Sequence, residues 1–152
     1  MPGPRLNLSD YLPYLINRVG SALVARFTAD ALAARNLTID MWRVLVALSN
    51  NGGQRQIDLA GLTSIDTSTL SRLVTRLVRR GLVTRIRSER SSREVLVRLT
   101  ANGKALVGRL IPIALRLEAV AMAGIAARDL STTKRTLRRM YQRLTVPRRR
   151  RA

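Results

Sequence analysis

IDTSTLSRLVTRLVRRGLVTRIRSERSSREVLVRLT, residues 65–100, changes periodicity once, at Gly81. Before it, Leu70, Leu73, Val74, Leu77 and Val78 fall at i, i+3, i+4, i+7 and i+8, the stripe of an amphipathic helix. At about 100° per residue, Ser68, Arg72, Thr75, Arg76 and Arg79 share the opposite face, which carries three arginines and no acid. Asp66 stands where a carboxylate caps the first amides and suits the positive helix end. Gly81 takes the left-handed closing conformation without steric cost. After it, Leu82–Arg87 and Glu94–Leu99 are β-rich runs separated by the polar Ser88–Arg93, which predicts a hairpin tipped by arginine.

The flanks extend this unit. Residues 56–62 predict a short helix with Ile57, Leu59, Ala60 and Leu62 on its buried side, and Thr63-Ser64-Ile65 the turn that follows. Helix, tight turn, basic helix and hairpin in this order are the outline of a winged helix-turn-helix. The basic helix would read major-groove edges and the wing would reach backbone or minor groove. Upstream, Met41–Leu48 predicts a helix, preceded by the cap-type residues Thr38 and Asp40 and closed by Asn50-Asn51-Gly52-Gly53. Apolar residues from Leu12 to about Leu32 recur at helical spacing, with Pro13 tolerable only in a first turn. Tyr11 and Tyr14 flank that start and suit an interface better than a ligand site.

Downstream, Thr100 is the expected cap of a long helix that is apolar nearly all round, from Leu106 and Val107 through Val120. Such a helix must be buried on several sides, which in so small a protein implies packing against a second subunit. Pro112 is expected to kink it and Gly124 to weaken its far end. Ser131 is the expected cap of a last helix with Leu137, Met140, Tyr141 and Leu144 on one face and Arg135, Arg138, Arg139 and Arg143 on the others. Pro147 ends it, before the basic tail Arg148–Arg151.

At 152 residues the chain fits one domain with extensions, and with 46% hydrophobic residues it is no disordered basic tail. Its net charge of +19 is concentrated: residues 66–104 hold ten basic and three acidic side chains, residues 134–151 nine basic and none acidic. Such tracts point to a polyanion, nucleic acid before membrane, because the apolar faces are needed for the core. No run is apolar enough to span a bilayer, Met1–Arg5 lacks a secretory segment, and the absence of cysteine fits the cytoplasm.

The element order and three segments carry a resemblance to a known family. LTIDMWRVL (Leu37–Leu45), IDTSTLSRLVTRLVRRGLVTR (Ile65–Arg85) and VRLTANG (Val97–Gly103) resemble the MarR (multiple antibiotic resistance regulator) family, over about Leu12 to Leu144. The resemblance implies a mainly α fold with a small β-hairpin wing. It would be a single domain over residues 1–152, with a winged helix-turn-helix lobe at about 37–100. Dimerisation helices would occupy about 11–36 and 101–146, and a basic tail 147–152. It implies a homodimeric, sequence-specific transcription regulator, a repressor on a palindromic duplex DNA operator. Ser68, Thr69, Arg72 and Arg76 would touch base edges, with Arg72 and Arg76 forking onto guanine and Ser68 or Thr75 serving bases or phosphates. Arg79 and Arg80 would meet phosphates, and Arg90 and Arg93 belong to the wing. Most members carry Asp-x-Arg in the wing; here the matching positions are Ser91 and Arg93, so the usual anchor is missing, and Glu89 is the candidate substitute. Many family members respond to small aromatic or other anionic effectors, for which Tyr14, Arg18, Trp42 and Arg43 are the candidates here. The alternative for the last two is structural: Trp42 in the core and Arg43 in a salt bridge.

No enzyme is expected: there is no His, no Cys and no Gly-rich phosphate loop, and the only lysines, Lys104 and Lys134, stand in no motif. Neither cofactor nor metal is implied, and cysteine-oxidation or zinc sensing lacks its ligands. A constitutive basic DNA-binding or architectural protein without effector stays open. Single-strand binding is disfavoured by an aromatic content of 3%.

Overall fold

A computed structural model describes residues 3–88 and 91–146, with the backbone alone for 91–93. Compactness divides the chain into two units, Met1–Leu117 and Glu118–Ala152. The structure is mainly helical with a two-stranded antiparallel hairpin, as the sequence predicts.

Helix α1, Leu12–Phe27, carries Pro13 in its first turn, where a missing amide hydrogen costs nothing. It widens into a π turn at Thr28–Leu32, tightens into a 3₁₀ turn at Ala33–Arg35 and stops at Asn36 in the left-handed region (φ 50°). The helical spacing read to Leu32 therefore survives as a change of winding: Phe27, Ala31 and Leu32 remain buried. Helix α2, Ile39–Asn51, starts on Thr38, whose hydroxyl accepts the Met41 amide at 3.2 Å, and buries Met41, Val44, Leu45 and Leu48.

Helix α3, Gln56–Thr63, differs from expectation in which face it buries. Leu59, Ala60 and Thr63 point inward, whereas Ile57 (60% exposed) and Leu62 (53%) do not. The three inner residues share one arc, and Ile57 and Leu62 lie about 110° to either side of its centre, too far for an eight-residue helix with one contact face. The buried Thr63 hydroxyl donates to the Leu59 carbonyl at 2.6 Å, which removes its desolvation cost. Ser64, left-handed at φ 56°, turns the chain into helix α4, Thr67–Arg79.

Strands β1, Val83–Ser88, and β2, Ser91–Leu99, pair from Val83 opposite Leu99 to Arg87 opposite Val95, with a register shift beyond Arg87. Gln54 adds an isolated antiparallel bridge on the other side of β2, bonding Val97 in both directions at 3.0 and 2.8 Å. One core receives Phe27, the α2 and α4 stripes, Leu59, Val83, Val97 and, from helix α5 (Ala101–Ala121), Leu106, Val107 and Leu110. Helix α5 continues through Pro112.

The junction between hairpin and helices is tightly bonded. Thr100 caps α5 by accepting the Gly103 amide (3.0 Å) while donating to the Gly81 carbonyl (2.6 Å), and its own amide bonds Leu82 O. A Cβ at Gly103 would overlap the Leu82 carbonyl oxygen.

In the second unit, helix α6 spans Ala127–Thr145. It begins at Ala126, not at the expected Ser131: Gly124 (φ 78°) makes the turn, and Ala127-Arg128-Asp129 extends the helix with an acid at its positive end. Lys134 bonds Glu118 at 2.9 Å, and no residue of α6 is buried.

Candidate nucleic-acid interface

Helix α4 is held along one face and at both ends, and its outer face is cationic. Leu70, Leu73, Val74 and Leu77 face the core. At the N-terminus Asp66 Oδ1 accepts the Thr69 amide (2.9 Å) and the Ser68 hydroxyl (2.7 Å). These bonds, the Thr69 amide first, hold its carboxyl well below the usual carboxylate range. At the C-terminus Gly81 (φ 65°) closes the helix with bonds from the Gly81 amide to Val78 O and the Leu82 amide to Leu77 O, a Schellman arrangement.

The residues expected to read DNA separate into two groups. Ser68, Arg72, Arg76 and Arg79 are exposed on one face with the half-exposed Thr69, and Arg72 Nη2 leans on Thr69 Oγ1 at 3.3 Å. Among the described residues, none of the three arginines forms an ion pair with a carboxylate. Thr75 belongs elsewhere: its hydroxyl donates to Ser71 O (3.0 Å) and accepts from Arg85 Nη2 (3.0 Å). Of the wing residues, Arg90 and Glu89 lie outside the described residues, and Arg93 and Ser91 are described only as backbone in β2.

Three further arginines tie neighbouring elements together, a role that the sequence does not reveal. Arg85 on β1 joins Thr75 of α4 and reaches Gln56 of α3 at 3.4 Å. Arg80, expected on phosphate, instead forks onto the Asn36 and Arg35 carbonyls at 2.7 Å each, where the 3₁₀ turn presents its negative end. Arg55 grips Asp58 through two bonds (2.7 and 2.9 Å) and turns its remaining nitrogen to Glu94 of β2 at 3.4 Å. The Asp58 bonds raise the Arg55 pKa, and Arg55 in turn lowers that of Asp58. The Arg80, Arg85 and Arg55–Glu94 bonds cross between elements 10 to 45 residues apart, so helical periodicity contains no sign of them, whereas Arg55–Asp58 is a local i, i+3 pair.

The four effector candidates fall into two pairs. Arg18 lies 5.6 Å above the Tyr14 ring on α1. Trp42 packs tilted on Phe27 at 5.2 Å, and Arg43 bonds Asp40 at 2.9 Å, the structural alternative for both. Trp42 and Arg43 line an open hollow of about 400 Å³ with Val46, Asn50 and Leu62, and neither Tyr14 nor Arg18 reaches it.

Known proteins match this architecture. The MarR family model matches residues 37–95, the segment containing α2 to the middle of β2. The HTH-type transcriptional repressor Mb2911 of Mycobacterium bovis is 32% identical over 137 residues, covering 89% of this chain and 98% of its own. The HTH-type transcriptional regulator FarR of Neisseria gonorrhoeae is 34% identical over 85 residues, and this match spans 58% of FarR. Among solved structures, Bordetella bronchiseptica BpsR, whose DNA binding is regulated by 6-hydroxynicotinic acid, superposes with a TM-score of 0.80 at 28% identity, over 91% of this chain and 98% of its own. CouR of Rhodococcus jostii RHA1, bound to p-coumaroyl-CoA, gives 0.82 at 26%, over 90% and 95%. With a relative aligned along nearly its whole length and a family model seated on the reading unit itself, the chain belongs to the MarR family of DNA-binding transcription regulators.

Proposed function

We propose that the chain is a homodimeric repressor that binds a palindromic duplex operator and is released by a small anionic effector, an aromatic acid or its thioester. The carrying observation is the outer face of α4, where Arg72, Arg76 and Arg79 stand exposed without carboxylate partners among the described residues, on a helix fixed at both ends. Such a helix meets a groove with little ordering cost, and forked guanidinium groups match guanine edges. Ser68 and Thr69 complete the base-reading set, Arg79 meets phosphate, and Arg90 and Arg93 serve the wing. Thr75 acts through Arg85. The lobe at about 37–100 reads DNA, and the helices at about 11–36 and 101–146 join the copies. Exposed Leu12, Ile16 and Val19 on α1, and Leu137, Tyr141 and Leu144 on α6, supply apolar surface for that contact. Operator DNA places the work in the cytoplasm.

The effector reading rests on the compound bound to CouR and the one that regulates DNA binding by BpsR. The second reading, a constitutive DNA binder, is favoured by one observation: Tyr14, Arg18, Trp42 and Arg43 are engaged with internal partners and do not converge on one hollow. Selection of bound duplexes from a random pool at fixed salt tests the proposal. A palindrome with half-sites about 10 bp apart is expected. Binding that only tracks ionic strength would sink it. Aromatic acids and their CoA thioesters, added to the selected duplex, then separate the two readings.

A further inference from the structure

Arg85 of β1, opposite Val97, ties one strand of the hairpin to Thr75 and Gln56, while strand β2 meets the segment that leads into α3 at two separate points. At its base, Gln54 and Val97 exchange backbone bonds of 3.0 and 2.8 Å. Three residues further out, about 10 Å along the strand, Glu94 accepts from Arg55 at 3.4 Å. Arg55 is not free to wander: Asp58 holds two of its nitrogens at 2.7 and 2.9 Å, which fixes the guanidinium plane and aims the third nitrogen at β2. Gln54 and Arg55 are adjacent, and Arg55 is the N-cap residue of α3, so both points belong to one short segment leading into that helix.

Resting on the DNA-reading function proposed above, we infer that Arg55 and Glu94 are positioning residues for the wing. The Gln54–Val97 and Arg85 bonds hold the hairpin at one level; the Arg55–Glu94 contact lies further out and fixes its tilt against α3. The pair is half-exposed, with 49% and 36% of the side chains accessible, so it contributes little to folding stability and is no fold-holding device. It also places a carboxylate on a surface that would approach DNA, which is electrostatically adverse. A positional role accounts for that placement.

The sign of one substitution discriminates. Glu94→Gln removes a negative charge, so Coulombic attraction alone tightens DNA binding; loss of the second attachment weakens it. Asp30→Asn removes the same charge from an exposed pair with Arg26 and measures the purely electrostatic change. Binding of all variants to the selected duplex is compared at fixed salt, with hydroxyl-radical footprints of the flanks and amide exchange of β2. The expected result is about fivefold weaker binding for Glu94→Gln, blurred flank protection and faster exchange at Leu96, with an unchanged Tm. Asp30→Asn should bind as tightly as the parent or tighter. Glu94→Gln with undiminished affinity and unaltered β2 exchange overturns the inference. A parent protein that selects no duplex overturns the DNA reading instead, and the exchange measurement still decides whether the pair holds the hairpin.

Discussion

Helices α4 and α6 carry the same kind of sequence, an apolar stripe opposed by arginines, and meet opposite circumstances. In α4 the stripe Leu70, Leu73, Val74, Leu77 is fully used by the core of its own unit, so the arginine side is what it offers outward. In α6 nothing is buried, and Leu144 keeps 83% of its surface in solvent. Amphipathicity therefore says that a helix has a partner, and only packing says whether the chain itself supplies it. An arginine face is informative in α4 because the opposite face is accounted for; in α6 the apolar face is not buried by the chain itself.

The largest test of this contrast is in the stripes. Leu77→Ala should cost about 2–5 kcal/mol in urea unfolding, the range for emptying a fully buried leucine site. If α6 is covered by a second copy, Leu137→Asp should weaken self-association about a hundredfold, roughly 2.8 kcal/mol, in sedimentation at dilute concentration while the monomer keeps its helical signal. A dimer of undiminished affinity would show that α6 faces something else. Next comes the arginine side. Arg72→Ala should cost about 1–3 kcal/mol and relax preference at one base position; equal weakening on every sequence would demote it to a phosphate contact. Deleting Arg148–Arg151 should flatten the salt dependence of binding by a slope of at most about four without altering the consensus.

The smallest effect concerns pH. The Asp66 carboxyl has a depressed pKa in the folded state, so its capping contribution is present above the unfolded value of about 3.9 and disappears as pH falls through the folded one. Asp66→Asn keeps an acceptor but cannot titrate, so its Tm should vary less between pH 5 and pH 2 than that of the parent.

Most of the fold was legible because it rests on local signals. The Thr38, Asp66 and Thr100 caps, the Gly81 stop and the α4 stripe each depend on residues within a turn or two of one another. Two misreadings have the same origin. Ser131 is a better cap than Ala126 in isolation, but the position of the Gly124 turn decides where α6 starts. Ile57 and Leu62 are apolar, yet a two-turn helix buries only one arc. For the candidate site, the exposed arginines of α4 could be read from helical phase. The duties of Arg55, Arg80 and Arg85 could not, because a guanidinium on a carbonyl 44 residues away leaves no periodic trace.

The bonded junction at Gly81, Leu82, Thr100 and Gly103 has a genetic consequence. Position 103 lies outside the arginines proposed to face DNA and outside the effector candidates, yet any side chain there would collide with the peptide that leaves α4. In an unbiased screen for alleles that lose operator control, codon 103 should be recovered about as often as the codons of Arg72 and Arg76. Those arginine alleles should leave a folded protein that no longer recognises its sequence, whereas changes at 103 should separate the exit of one helix from the entry of the next.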